Sequence, residues 1–411
     1  MNQSPALADH RVAVVGGGHA GGTLVGLLRQ SGHRGEIMLF GDETDYPYQR
    51  PPLSKKLADG EIEQLLRPPE FYREQNITVR LGERITSIDR RGRRVYSADG
   101  TGWDYDVLVL ATGARPRPLP VPGADLGGVV TLRTLTDARV LRKHFGEKRR
   151  IAIIGGGYIG LEVAAVARAN GVDVTIIERE QRVLARVAST RLSDILARYH
   201  RDRSTTIVTG AQVTHVSGRS GHVCGVVLDD GAEIACDAAL IGVGAAPRDE
   251  LAAAAGLVCD HGIVVDGLAR TSDPAVLAIG DVTRRPVAGV DGLLRLESIP
   301  SATEQAKQAC AAILGTAPPS AEVPWFWSDQ FDLKLKIAGV VSGARDIVLR
   351  GDPSAGRFAL FHHENAVVTA VESANSPADF MAGRKLIASR RRIDPRRLAD
   401  LGIPLLDTVI A

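Results

Sequence analysis

One pattern of apolar and small residues occurs twice along the chain. A short, unbroken apolar run leads into a glycine-rich turn, then a helix-like apolar segment, then a second apolar run. The first copy reads Val12-Ala13-Val14-Val15, Gly16-Gly17-Gly18-His19-Ala20-Gly21, Thr23-Leu24-Val25-Gly26-Leu27-Leu28 and Ile37-Met38-Leu39-Phe40. The second reads Ile151-Ala152-Ile153-Ile154, Gly155-Gly156-Gly157-Tyr158-Ile159-Gly160, Leu161-Glu162-Val163-Ala164-Ala165-Val166 and Val174-Thr175-Ile176-Ile177. Apolar runs of this length bounded by turns are predicted to be strands covered on both faces, as in a parallel sheet. Each copy is therefore predicted to be a βαβ unit.

The rest of the pattern organises the chain around these units. A strand and turn, Leu108-Val109-Leu110-Ala111-Thr112-Gly113-Ala114-Arg115-Pro116, closes the first region. Pro116, Pro118, Pro120 and Pro122 then read as a stiff linker. Leu240-Ile241-Gly242-Val243-Gly244 closes the second region, and Leu277-Ala278-Ile279-Gly280-Asp281 reads as a strand returning to the first. After about residue 325 short alternating runs such as Phe358-Ala359-Leu360-Phe361 predict a small mixed domain. The predicted class is α/β: two Rossmann-like dinucleotide-binding domains, 1–116 with 246–325 and 117–245, and an α+β C-terminal domain, 326–411.

The turns carry chemistry. In G-x-G-x-x-G, glycine lets the backbone bend tightly, approach a pyrophosphate closely and aim a helix N-terminus at it. An acid at the end of the next strand can bind a ribose. Asp42 and Glu43 stand there in the first copy and Glu178 in the second. Two complete copies imply two dinucleotides bound together, the arrangement of an electron relay.

Composition narrows the acceptor side. With 50 basic and 48 acidic residues, a net charge of +2 argues against nucleic acid, so a charged partner must meet a local patch. No signal peptide or apolar span is read from the sequence, and a cytoplasmic protein is expected. Cys224, Cys236, Cys259 and Cys310 form no close pair, so no redox-active disulfide motif is present and each reads as a buried or half-buried small residue. His362-His363 has no partner at metal spacing and reads as a solvated or paired duo.

Arg50-Pro51-Pro52-Leu53-Ser54-Lys55, Gly280-Asp281, Glu297-Ser298-Ile299-Pro300 and Trp325-Phe326-Trp327-Ser328-Asp329-Gln330 complete a resemblance that covers nearly the whole chain. It resembles the FAD-dependent pyridine nucleotide-disulfide reductase superfamily, and within it the ferredoxin reductases that serve bacterial oxygenases. The resemblance implies FAD on the first fingerprint and NADH on the second. The disulfide-reducing members carry their cysteines where this chain has Pro51-Pro52-Leu53-Ser54-Lys55, so electrons must leave to an external acceptor. It also implies an FAD set: Gly16, Gly18, Ala20, Gly21, Asp42, Glu43, Arg50, Lys55, Ile85, Ala111, Thr112, Gly113, Arg133, Gly280, Asp281, Glu297, Ser298, Ile299 and Trp327. Asp281 would accept a hydrogen bond from the ribityl chain and Trp327 would cover the flavin, although a tryptophan there also suits interdomain packing. The NADH set is Gly155, Gly157, Tyr158, Ile159, Gly160, Glu178 and Gly244. Lys55, Tyr158 and Glu162 would be the catalytic group, with Lys55 stabilising negative charge on reduction.

Glu178 favours NADH, since a carboxylate binds a free 2′-hydroxyl and repels a 2′-phosphate, while Arg179 and Arg182 pull the other way. Pro247-Arg248 departs from the Pro-Asn of many relatives. The implied acceptor is an acidic 2Fe-2S ferredoxin, docking near Arg284, Arg285 and Lys307. The denser run Arg390-Arg391-Arg392 with Arg396-Arg397 reads as a solvated face. Two alternatives remain open: an FAD-dependent NADH oxidoreductase acting on a quinone or oxygen, and a redox-sensing protein that changes its oligomer on binding NADH.

Overall fold

The structure is a computed structural model and describes residues 7–58, 62–341 and 346–410. Its chain divides into two compact units, each discontinuous. One comprises Met1–Gln49, Glu63–Arg115 and Ala246–Pro324, the other Arg50–Ile62, Pro116–Ala245 and Trp325–Ala411.

The first unit is built on a five-stranded parallel sheet in the order Val276–Ala278, Val107–Leu110, Val12–Val15, Ile37–Gly41, Ile77–Leu81. Both faces are covered, which is why its strands read as unbroken apolar runs. Val12 and Val14 pack with Leu24 and Leu28 of helix His19–Gln30 and with Ala306 and Ile313 of helix Ile299–Leu314. Ala13 and Val15 face the other way, toward Ile85 and Val95 of a three-stranded antiparallel meander and toward Tyr105. Each fully buried Val, Leu or Ile contributes about 1.5–3 kcal/mol. From Val12–Val15 the chain runs out through Ile37–Gly41 to Ile77–Leu81 on one side and later lays Val107–Leu110 and Val276–Ala278 on the other, so the crevice at the carboxyl end of Val12–Val15 is a topological switch point.

The second unit repeats the plan. Strands Thr206–Thr209, Asp173–Glu178, Arg150–Ile154, Ala238–Ile241 and Val129–Val130 form a parallel sheet in that order. Ala152 and Ile154 pack on a meander through Val213, Val223 and Val226. The same unit contains a five-stranded antiparallel sheet, Trp325–Gln330, Leu333–Gly339, Val367–Ala374, Arg357–Glu364 and Asp346–Asp352 in spatial order. Helix Pro377–Ser389 lies on it. Gly383 lets that helix approach, because a Cβ there would stand 2.8 Å from Val371 Cγ1.

The fold is α/β as expected. By compactness, residues 50–62 and 325–411 count with the second unit. The proline-spaced stretch is also no free linker: Leu119 and Val121 pack on the second unit's core, and Val216 N donates to Pro122 O at 2.9 Å. Its alternation of proline with apolar residues is a packing pattern. His362 and His363 are not solvated. Both are buried, and His362 Nε2 lies 2.9 Å from the fully buried Glu372 carboxylate. Among the described residues no group of histidine, cysteine and acidic side chains could hold a metal, and no helix is long and apolar enough to cross a membrane.

Candidate functional site

Gly16 follows strand Val12–Val15 with φ +126°, and a Cβ on it would run into the carbonyl of Ala111. Gly21 is equally constrained, since its Cβ would strike Gly16 O. Gly18 caps helix His19–Gln30 without any side-chain hydrogen bond. Elsewhere Thr134, Ser189 and Ser298 cap their helices with hydroxyls. A bare, glycine-capped helix end at a switch point is a cradle for a pyrophosphate. Gly280, at φ +83°, brings its backbone against Ala20 and donates from N to Gln305 Oε1 at 3.1 Å, placing Asp281 in the turn beside it. His19, first in the helix, is lowered in pKa by burial against an upward pull from Asp281, and its Nδ1 is buried without a partner. A dinucleotide fits this cradle.

Other predicted residues of the first unit have local duties. Thr112 Oγ1 donates to Arg248 O at 2.7 Å, and Arg248 N donates to Gly113 O at 2.9 Å. The Arg248 guanidinium meets Asp42 at 2.6 Å, so the residue that departs from the family's Pro-Asn ties three strand ends together. Glu43 accepts from Tyr48 Oη at 2.5 Å. Ile85 is a core residue. Ser298 caps helix Ile299–Leu314, while Glu297 is exposed and paired with Arg295.

The second fingerprint has the same construction. Gly155, φ +113°, leaves no room for a Cβ beside Gly242 O, and Gly160 none beside Gly155 O. Gly157 caps helix Tyr158–Ala169 with open space around it, and Ile159 stands 49% exposed, an apolar side chain without protein cover at a bare helix end. Glu178 accepts from Gly156 N at 2.7 Å and from Glu180 N at 2.9 Å, which anchors the turn to the next strand. Arg182 spends its guanidinium on Ala185 O, Ala188 O and Ser193 Oγ at 2.6–3.0 Å. Arg179 is exposed and pairs with Glu180. Gly244, φ +105°, accepts from Arg117 N.

A third cluster, also in the second unit, surrounds Glu162. Pro52 starts a one-turn helix, Pro52–Lys55, that presents Ser54 and Lys55. Lys55 Nζ lies 2.7 Å from Glu162 Oε1, Ser54 Oγ donates to Oε2 at 2.5 Å, and Ser328 Oγ donates to Oε1 at 2.6 Å. The pair is enclosed, with side chains 14% and 4% exposed, so it is screened little by solvent. Arg50 donates to Arg133 O at 2.5 Å, and Arg133 N to the Asp137 carboxylate, anchoring the segment. Tyr158 sets its ring edge-on to Phe326, 4.9 Å between centroids. Its hydroxyl is buried without a partner, and burial with Glu372 and Glu162 nearby raises its pKa well above 10. Trp327 is half-buried, 5.8 Å from Trp325.

Residues 10–308 match the pyridine nucleotide-disulphide oxidoreductase family, and 325–409 match the reductase C-terminal family. This chain belongs to the pyridine nucleotide-disulphide oxidoreductase family. It is 48% identical to a probable ferredoxin reductase, CtmF, of Castellaniella defragrans, over 96% of this chain and 97% of that one. It is 40% identical to putidaredoxin reductase CamA of Pseudomonas putida, over 98% of each. Among solved structures, the covalent putidaredoxin reductase–putidaredoxin complex matches with a TM-score of 0.95 at 38% identity, covering 98% of both chains.

Despite the family's name, all four cysteines of this member are free thiols. Burial pushes Cys236 up to about 11 and raises Cys310 and Cys259 as well. One docking residue needs correction. Arg285 is buried and ion-paired with Glu304 at 2.6 Å, so it offers no surface charge. Arg284 is paired with Asp260 and Lys307 with Glu322, both partly exposed. Sequence reasoning passed over Ser54 and Ser328, although both lie inside motifs it singled out. The available signal was strand alternation, which puts Ser328 and Gln330 on one face of Trp325–Gln330 and Asp329 on the other; the structure buries the first two.

Proposed function

We propose that this protein is an NADH-dependent, FAD-containing ferredoxin reductase that feeds a 2Fe-2S ferredoxin of an oxygenase system. The observation that carries the proposal is the pair of complete dinucleotide cradles in a chain whose four thiols are free, which leaves no internal disulfide to take the electrons. The kinship with putidaredoxin reductase and CtmF supports the same acceptor class. When bound, FAD supplies the conversion from two-electron hydride acceptance to single-electron delivery.

In this reading the Gly16–Gly21 turn holds the FAD pyrophosphate, with Gly280 and Asp281 toward its ribityl chain. The Gly155–Gly160 turn holds that of NADH. Glu178 meets the 2′-hydroxyl, and Arg182, committed to three protein acceptors, is unavailable to a 2′-phosphate. Lys55, held by Glu162, offsets negative charge on the reduced cofactor, and no side-chain general base is required. Half-exposed Lys307 and Arg284 remain the docking cations for an acidic partner.

The test is NADH-driven cytochrome c reduction by the purified flavoprotein, with and without a 2Fe-2S ferredoxin from the same source. A large ferredoxin-dependent rise is expected. A rate indifferent to ferredoxin, with direct reduction of quinone or oxygen, would move the function to a small-molecule reductase. Charge reversal at Lys307 or Arg284 is expected to raise the KM for ferredoxin more than that for NADH.

A further inference from the structure

A line of buried side chains leads away from Glu162, and neither dinucleotide cradle accounts for it. Ser328 Oγ lies 2.6 Å from Glu162 Oε1, Gln330 Nε2 lies 3.2 Å from Ser328 Oγ, and His200 Nε2 lies 3.0 Å from Gln330 Oε1. Glu162 is 3% exposed and the other three are fully buried. Ser328 and Gln330 share one face of strand Trp325–Gln330, and His200 stands in the last turn of helix Thr190–Arg201.

The polarity of this line is forced from one end. A carboxylate can only accept hydrogen bonds, and Glu162 is the salt-bridge partner of Lys55, so Ser328 must give it its single proton. Ser328 is then an acceptor toward Gln330, which must turn its NH₂ to the serine and its carbonyl to His200. His200 must therefore carry its proton on Nε2. Its Nδ1 is buried without a partner, which a bare ring nitrogen tolerates far better than an N–H. Burial pushes the imidazole down to about 4, against the Gln330 hydrogen bond and with the help of Arg203, so the ring is neutral. Every donor points toward Glu162. With the other tautomer Gln330 would flip its amide, and Ser328 would turn its proton from Glu162 to the amide oxygen.

We propose that His200, Gln330 and Ser328 are positioning residues whose one-way hydrogen-bond chain holds the Glu162 carboxylate, and through it the Lys55 ammonium, in place for electron transfer from NADH, a role that rests on the reading of Lys55 above. Ser328 acts on Glu162 directly; His200 acts only through the orientation of the Gln330 amide.

The test uses the full-length holoprotein and two kinds of readout. In ¹⁵N-histidine NMR, the resonance missing from His200→Gln is expected to be a neutral Nε2–H imidazole in the wild type. In NADH–ferricyanide kinetics, Ser328→Ala and His200→Phe are each expected to lower kcat about tenfold with the KM for NADH little changed, the effect of losing the charge-assisted Ser328–Glu162 hydrogen bond, directly in the first and through a freed Gln330 amide in the second. The double variant is expected to lose no more than either single, because both break the same chain. Ser328→Thr and His200→Gln, which can still donate, are expected to restore kcat. An Nδ1–H tautomer, additive losses, or unchanged kcat in both single variants while Lys55→Met is impaired would overturn the chain alone. An unimpaired Lys55→Met would overturn the reading of the ion pair, and the positioning role with it.

Discussion

His200 stays uncharged at a price in pH sensitivity. With a pKa near 6.5 when unfolded and about 4 when folded, the unfolded chain binds more protons between those limits, so stability rises with pH across them. The stabilisation is complete above about pH 6.5 and is lost as pH falls toward 4, by about 3 kcal/mol in all. His19 and His33, also lowered by burial, act in the same sense. Denaturant unfolding at pH 7 and pH 4.5 is expected to show a smaller acid loss for His200→Gln than for the wild type. An equal loss in both would mean that the imidazole is already charged in the fold. At this scale the sequence exposed the glycines but not the side-chain partners. Gly16 and Gly155 are legible because their constraint is local, whereas Glu162 meets Ser54 from 108 residues away and Ser328 from 166.

Strands and helices were legible where their cover is complete. Val12–Val15 and Arg150–Ile154 announce themselves because both faces are buried. The C-terminal segment was harder, because one arginine organises much of it. Arg350, on strand Asp346–Asp352, pairs with Asp379 in the first turn of helix Pro377–Ser389 and donates to the carbonyls of Leu398, Asp400, Leu401 and Ile403. It satisfies the carbonyls that follow helix Pro395–Ala399. Arg350→Met would take the cation from Asp379, leaving it the Ser376 hydroxyl, and the guanidinium donors from the carbonyls of Leu398, Leu401 and Ile403, at a cost of about 3–5 kcal/mol. Hydrogen exchange is expected to show residues 395–408 losing protection first, with Phe358–Phe361 unchanged. Uniform loss across the sheet would show that the segment has no local anchor. Arg350→Lys is expected to rescue little, since a point charge cannot span this fan of acceptors.

For the whole molecule, the free thiols make a strict demand. If electrons leave to an external carrier, a variant with all four cysteines replaced by serine or alanine must keep its NADH-driven reduction of ferredoxin within about twofold. Loss of activity with the fold intact would point to a thiol on the path. Native protein treated with iodoacetamide at pH 8 is expected to be modified at half-buried Cys224 or Cys259 before Cys236 or Cys310, which are buried.

The α/β plan, the two glycine fingerprints, the family and the lack of a disulfide motif are legible in the amino-acid order, because each depends on residues adjacent in the chain: glycine where the backbone has no room, apolar runs where two faces are covered. Folding is what brings Lys55 to Glu162, commits Arg182 to its own loop, buries Arg285, and ties His200 to Glu162 through Gln330 and Ser328. The free energy of an ion pair or a buried hydrogen bond depends on which groups share a small volume and how far water is excluded from it. Spacing along the chain does not record either.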